Sequence, residues 1–115
     1  MVRLGNVFIL GDSYSTFEGC IPDGNEAWYF TEPKNGTNVT DKSQTWWYKL
    51  IRNTDSALIR NESFSGTTIC NTGYGGAYCP ETSFIGRFDR LCGEGFFKKN
   101  IVDTFLVFGG TNDSW

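Results

Sequence analysis

"VFILGDSYS", Val7 to Ser15, runs four apolar residues straight into Gly-Asp-Ser. A strand covered on both faces reads as a short continuous apolar run, whereas a half-buried strand alternates. The predicted strand Asn6–Leu10 therefore belongs inside a covered sheet, and Gly11-Asp12-Ser13 marks the turn that leaves it. Two further runs have the same form. Ala57–Arg60 ends in Asn61-Glu62-Ser63-Phe64-Ser65-Gly66, and Ile101–Phe108 ends in Gly109-Gly110-Thr111-Asn112-Asp113. The intervals between these runs are far too long for hairpins and long enough for crossover connections, so an α/β fold with a parallel sheet is expected.

The connections carry helical signals. Asp41-Lys42-Ser43 is a predicted cap for a helix through Trp46, Trp47, Leu50 and Ile51, whose spacing makes one apolar face. Ser83–Leu91 has weaker helical spacing through Phe84, Phe88 and Leu91. Cys20–Thr40, with its glycines, prolines and the cluster Trp28-Tyr29-Phe30, reads as an ordered but irregular insertion. Asn71–Pro80 reads as a glycine-rich turn region. Its Asn71–Gly76 stretch lacks the lysine and the strand-to-helix setting of a phosphate-binding loop.

Composition bounds the remaining possibilities. The 115 residues, 39% hydrophobic and 17% aromatic, suffice for the core of one domain. A net charge of -3 with scattered basic residues gives no footprint for nucleic acid or an anionic membrane. No apolar stretch approaches the length of a bilayer span, and Met1 leads too quickly into a strand for a signal peptide. Cytosolic residence and export after processing remain equally compatible with this. Cys20, Cys70, Cys79 and Cys92 match neither CxxC motifs nor zinc knuckles, so reduced, partly buried thiols are expected and no metal site. Asn35-Gly36-Thr37 and Asn38-Val39-Thr40 have the glycosylation pattern, which matters only in a eukaryotic secretory setting.

In a parallel sheet the three polar strand ends share one edge, where open α/β folds bind ligands. Ser13, Gly66 and Asn112 would converge there. Taken singly, each has a plain reading: a helix-capping serine, a loop glycine and a turn asparagine. Together they suit acyl transfer, with a serine on a tight turn as nucleophile, a glycine N–H that a substrate oxygen can approach, and an amide donor for the same oxyanion.

These residues resemble the SGNH/GDSL hydrolases. Gly11-Asp12-Ser13-Tyr14-Ser15 is similar to the family's first block, Asn61 to Gly66 to its second, and Gly110-Thr111-Asn112-Asp113 to its third. The resemblance implies a flavodoxin-like three-layer α/β/α fold and a serine esterase without a cofactor. It gives Ser13 as nucleophile and the N–H groups of Ser13 and Gly66, with the Asn112 side chain, as the oxyanion hole. Asp12 and Asp113 take structural roles beside the turn. Tyr14, Trp28 and Tyr29 are candidate substrate contacts, since aromatic faces stack on sugar rings and the family includes carbohydrate O-acetylesterases. Core packing is the expected role of Trp46 and Trp47.

The family draws its base from an Asp-x-x-His block, and this sequence contains no histidine. A serine hydroxyl without a base is a poor nucleophile at neutral pH. The expectation is that residues 1–115 form the N-terminal part of a single SGNH hydrolase domain. Alone they would be inactive or nearly so, retaining residual catalysis of roughly 10³-fold or more over water, as an oxyanion hole alone gives. The third strand would have an open edge that invites self-association. Two functions fit the residues: an esterase acting, at full length, on a small-molecule or carbohydrate ester, and a non-catalytic relic that binds or scaffolds with its oxyanion pocket intact.

Overall fold

A computed structural model describes residues 1–73 and 75–114. Tyr74, within the glycine-rich Asn71–Gly76 stretch, and Trp115 lie outside the described residues. The strands are β1 (Arg3–Gly11), β2 (Asp55–Ser63) and β3 (Thr104–Phe108), all parallel, in the order β2-β1-β3. Helix α1 (Trp46–Arg52) lies between β1 and β2 in the chain. Helices α2 (Phe84–Gly93) and α3 (Phe96–Lys99) lie between β2 and β3.

The apolar run of β1 is continuous because β1 is the central strand. Alternate residues point to opposite faces of a sheet. Val7 and Ile9 pack with Phe17 and Trp47 beneath α1, while Phe8 and Leu10 pack with Phe84 and Leu91 of α2 on the other side. Phe96 and Phe97 of α3 meet the Phe8 ring edge-on at 5.8 and 5.4 Å. The result is three layers, helix on sheet on helix.

Strands β1 and β2 run longer than the sequence expectation of Asn6–Leu10 and Ala57–Arg60, and three further differences have a local reason. Asp41 caps a separate 3-10 turn, Lys42–Gln44, in which Asp41 and Gln44 complete a capping box; Thr45 then caps α1 through its hydroxyl. The third strand starts at Thr104, not Ile101. There the Asp103 carboxylate accepts the Asn6 N–H at 2.8 Å and Asn6 Nδ2 donates to the Ile101 carbonyl at 3.0 Å, so side chains take over part of the ladder, beside one backbone bond from the Asp103 N–H to the Asn6 carbonyl at 2.8 Å. Helix α3 was not expected, because four residues are too few to show a period.

Candidate active site

The candidate nucleophile turn follows β1 directly. Ser13–Ser15 form a single 3-10 turn, and buried Asp12 caps it by accepting the Tyr14 N–H at 3.1 Å on Oδ1. Gly11 is required sterically: a Cβ there would lie 2.6 Å from Ser15 Oγ and 2.8 Å from Ser63 Oγ. The turn is gripped from below. Asn61 Nδ2 donates to the Ser15 carbonyl at 2.9 Å, Ser63 Oγ donates to Asn61 Oδ1, and Trp46 Nε1 donates to Ser15 Oγ at 2.9 Å. Ser13, half-buried, lines a cleft beyond the carboxyl end of β1.

The segment after β2 supplies the second wall. Gly66 has φ +81°, a left-handed conformation that glycine adopts without penalty. A Cβ there would meet nothing within 4 Å among the described residues. Among the described residues, neither the Ser13 N–H nor the Gly66 N–H donates to a protein group. Asn112, in the turn after β3, donates Nδ2 to the Thr67 carbonyl at 2.8 Å, which uses one of its two amide hydrogens. Asp113 is committed elsewhere, to the N–H groups of Ile69 and Cys70. Desolvation pushes its carboxyl upward, but these hydrogen bonds outweigh it and hold the pKa below the usual value.

Ser13, Gly66 and Asn112 line one cleft of about 640 Å³, together with Tyr14, Trp28, Ser65 and Thr111. None of these seven side chains is charged. Tyr14 is 46% exposed and Trp28 39%, both large apolar surfaces turned toward solvent. Trp28 is fixed by its backbone, whose N–H donates to Thr16 Oγ1 at 2.9 Å, while that hydroxyl donates to the Ser13 carbonyl at 2.7 Å. Tyr29 is placed differently: half-buried, it packs against the Val7, Ile9, Phe17 and Trp47 cluster. Trp47 is core, as expected, and half-buried Trp46 packs against the same cluster while stacking on Phe108 at 5.5 Å.

Burial raises the Asp12 pKa, with the Asp113 charge adding to it, against the pull of the backbone hydrogen bonds and Arg87. Its Oδ2 has no hydrogen-bond partner among the described residues. All four cysteines are free, Cys20 and Cys79 half-buried and Cys70 and Cys92 exposed, so the expectation of partial burial holds for two of them.

One cluster escaped the sequence reading. Glu62 is fully buried and holds Arg60 at 2.7 Å, Arg87 at 3.6 Å, Arg90 at 3.9 Å and Asn25 Nδ2 at 3.0 Å. The available signal was the position of Arg87, three residues after Phe84 and four before Leu91, on the face of α2 that enters the core.

The family of GDSL-like lipases and acylhydrolases matches residues 5–115. Two crystal structures are similar, each described as that of a "putative GDSL-like lipase". The one from Bacteroides ovatus ATCC 8483 is 47% identical, with a TM-score of 0.84, over 98% of this chain and 51% of its own. The one from Bacteroides uniformis ATCC 8492 is 45% identical, with a TM-score of 0.82, over 96% of this chain and 49% of its own. The chain thus spans about half the length of these solved structures. Among curated proteins nothing matches it. The parallel sheet, its order and the match over residues 5–115 lead to one conclusion: the chain belongs to the GDSL-like lipase/acylhydrolase family.

Proposed function

We propose that residues 1–115 carry the nucleophile and oxyanion half of a serine ester hydrolase of the SGNH/GDSL type. The observation that carries this reading is that Ser13, Gly66 and Asn112, from the ends of three different strands, border one uncharged cleft. Ser13 Oγ attacks the ester carbonyl carbon and loses its proton to a base. The new oxyanion accepts from the N–H groups of Ser13 and Gly66 and from Asn112 Nδ2. Collapse expels the alcohol, which takes the proton, and water then releases the acyl group from Ser13 in the same way.

The base is supplied from outside these residues. The sequence has no histidine, Asp113 is held by backbone N–H groups, and Asp12 is buried beneath the turn. On this reading the 115 residues are the first part of one hydrolase domain. The uncharged lining and the exposed rings of Tyr14 and Trp28 suit a neutral substrate, a small acyl ester such as the O-acetyl group of a carbohydrate. The absence of histidine favours a second reading, a pocket that binds the ester without cleaving it.

Fluorophosphonate labelling and aryl acetate turnover test both readings. In the natural chain that carries these residues, labelling at Ser13 and turnover lost in Ser13→Ala support the hydrolase. Binding of an acetylated saccharide, seen as a change in Trp28 emission, with no labelling and no turnover supports the binder. Robust turnover by residues 1–115 alone would remove the need for an external base.

A further inference from the structure

Arg87 is 1% exposed, yet it carries its charge into the core beside the site. Desolvation pulls its pKa down to about 10, with Glu62 opposing, so it stays protonated at neutral pH. Such a group is costly, and an apolar side chain of similar volume often serves stability as well or better. Stability alone therefore gives a weak account of it.

The partners of Arg87 give a stronger one. A guanidinium has five N–H donors in a fixed plane. Nε donates to the Thr82 carbonyl at 2.8 Å, and Nη1 donates to the Glu62 carbonyl at 2.8 Å with Glu62 Oε2 at 3.6 Å. Nη2 donates to the Gly11 carbonyl at 3.2 Å and to Thr67 Oγ1 at 3.1 Å. The acceptors flank the three oxyanion donors. Gly11 ends β1 two residues before Ser13, Thr67 follows Gly66, and the Thr67 carbonyl holds Asn112 Nδ2. Gly11 also accepts the Phe64 N–H at 3.1 Å, so β1, the end of β2 and the Gly66–Thr67 turn meet at one guanidinium.

We infer that Arg87 is a positioning residue that sets the spacing of the Ser13, Gly66 and Asn112 donors by locking the Gly11 and Glu62 carbonyls and the Thr67 hydroxyl to one rigid fork. It does not line the cleft and acts through its neighbours. The inference rests on the reading of those donors as an oxyanion hole. Lysine keeps the charge but offers three donors on a single atom and cannot span these acceptors.

Two variants test it, Arg87→Lys and the milder Thr67→Val, which removes one arm of the fork, together with the Thr67 hydroxyl's bond to the Phe64 carbonyl, without changing charge. In ¹H–¹⁵N spectra both should shift the Ser13 and Gly66 backbone signals and the Asn112 side-chain signals, while the Trp47 indole signal on the opposite face stays in place. In the natural chain, Arg87→Lys should lower kcat for an aryl acetate by ~10-fold or more with KM within about twofold, because small misplacements at a reacting centre are amplified in rate. Thr67→Val should move both readouts in the same direction by less. If Arg87→Lys does not fold, Thr67→Val decides alone. Wild-type spectra at the three donors and wild-type kcat, with only a lowered unfolding midpoint, would overturn the inference. Turnover that survives in Ser13→Ala would sink the hydrolase reading instead, and the spectra would still decide what Arg87 holds.

Discussion

Trp46 Nε1 donates to Ser15 Oγ at 2.9 Å, so the helix on one face of the sheet grips the turn that presents Ser13. Trp46→Phe keeps an aromatic ring against Phe108 and leaves the buried Ser15 hydroxyl without this donor. The expected loss is about 1–2 kcal/mol in urea unfolding, the cost of a broken buried hydrogen bond. A double-mutant cycle with Ser15→Ala should show coupling, and strictly additive effects would count against the contact.

Gly11→Ala should destabilise the protein by about 1–3 kcal/mol, an overpacking cost, because its Cβ must displace Ser15 and Ser63. Gly93→Ala provides the contrast. At the last residue of α2 a Cβ meets nothing within 4 Å, and replacing a helical glycine with alanine contributes up to about 1 kcal/mol. Thermal or urea unfolding of the two variants should therefore move in opposite directions.

On the proposed reading, Asn112→Ala removes one oxyanion donor, and it leaves the Thr67 carbonyl without its Asn112 partner. In the natural chain kcat for an aryl acetate should fall ~10²–10³-fold with KM little changed. A fall in KM-governed binding with kcat intact would place Asn112 in substrate recognition instead.

Asp12 makes stability depend on pH with an unusual sign. Its folded pKa lies above the ordinary aspartate value of 3.8, so the folded state binds the proton more tightly than the unfolded chain. The stabilisation is present in acid and is lost as pH rises from 3.8 through the folded pKa. Asp113, with a lowered pKa, contributes the opposite way, gaining stability as pH rises through its folded pKa toward the unfolded value. Asp12→Asn should therefore narrow its stability deficit, or gain relative to wild type, as pH rises from 3.8. Urea midpoints across that range check it, and a constant difference between the two proteins would refute the Asp12 assignment.

β3 is an edge strand, and Val107 on it is 62% exposed beside Phe105 and Phe108. Bare apolar edges recruit other strands, and a charge on the edge blocks them. Residues 1–115 should self-associate in sedimentation experiments, and Val107→Lys should shift them toward monomer. A monodisperse wild-type monomer would contradict this.

The sheet was legible because β1 is covered on both faces, which turns Val7–Leu10 into an unbroken apolar run that no half-buried strand shows. Ser13, Gly66 and Asn112 were legible for a related reason: each sits where such a run gives way to small polar residues. The cleft wall was only half legible. Trp28 and Tyr29 are neighbours in an irregular loop, and polar ties at Thr16 and Glu18 decide which ring faces out, a matter no periodicity announces. Arg87 was hidden because a charge on a helix ordinarily reads as solvated surface. Its burial depends on Glu62 and three backbone carbonyls that only the folded chain brings together.

The insertion between β1 and α1 is stitched to the Ser13 turn and to the end of β2. Trp28 N–H reaches Thr16, Glu18 N–H reaches the Tyr29 carbonyl at 3.0 Å, Asn25 Nδ2 reaches the Ser63 carbonyl at 3.0 Å, and Ser65 N–H reaches the Glu26 carbonyl at 2.8 Å. A loop sewn down in this way is no interchangeable cassette. Grafting a foreign sequence between Cys20 and Thr40 to retune selectivity would also loosen the serine that the graft is meant to serve, so recognition and reactivity in this fold have to be evolved together.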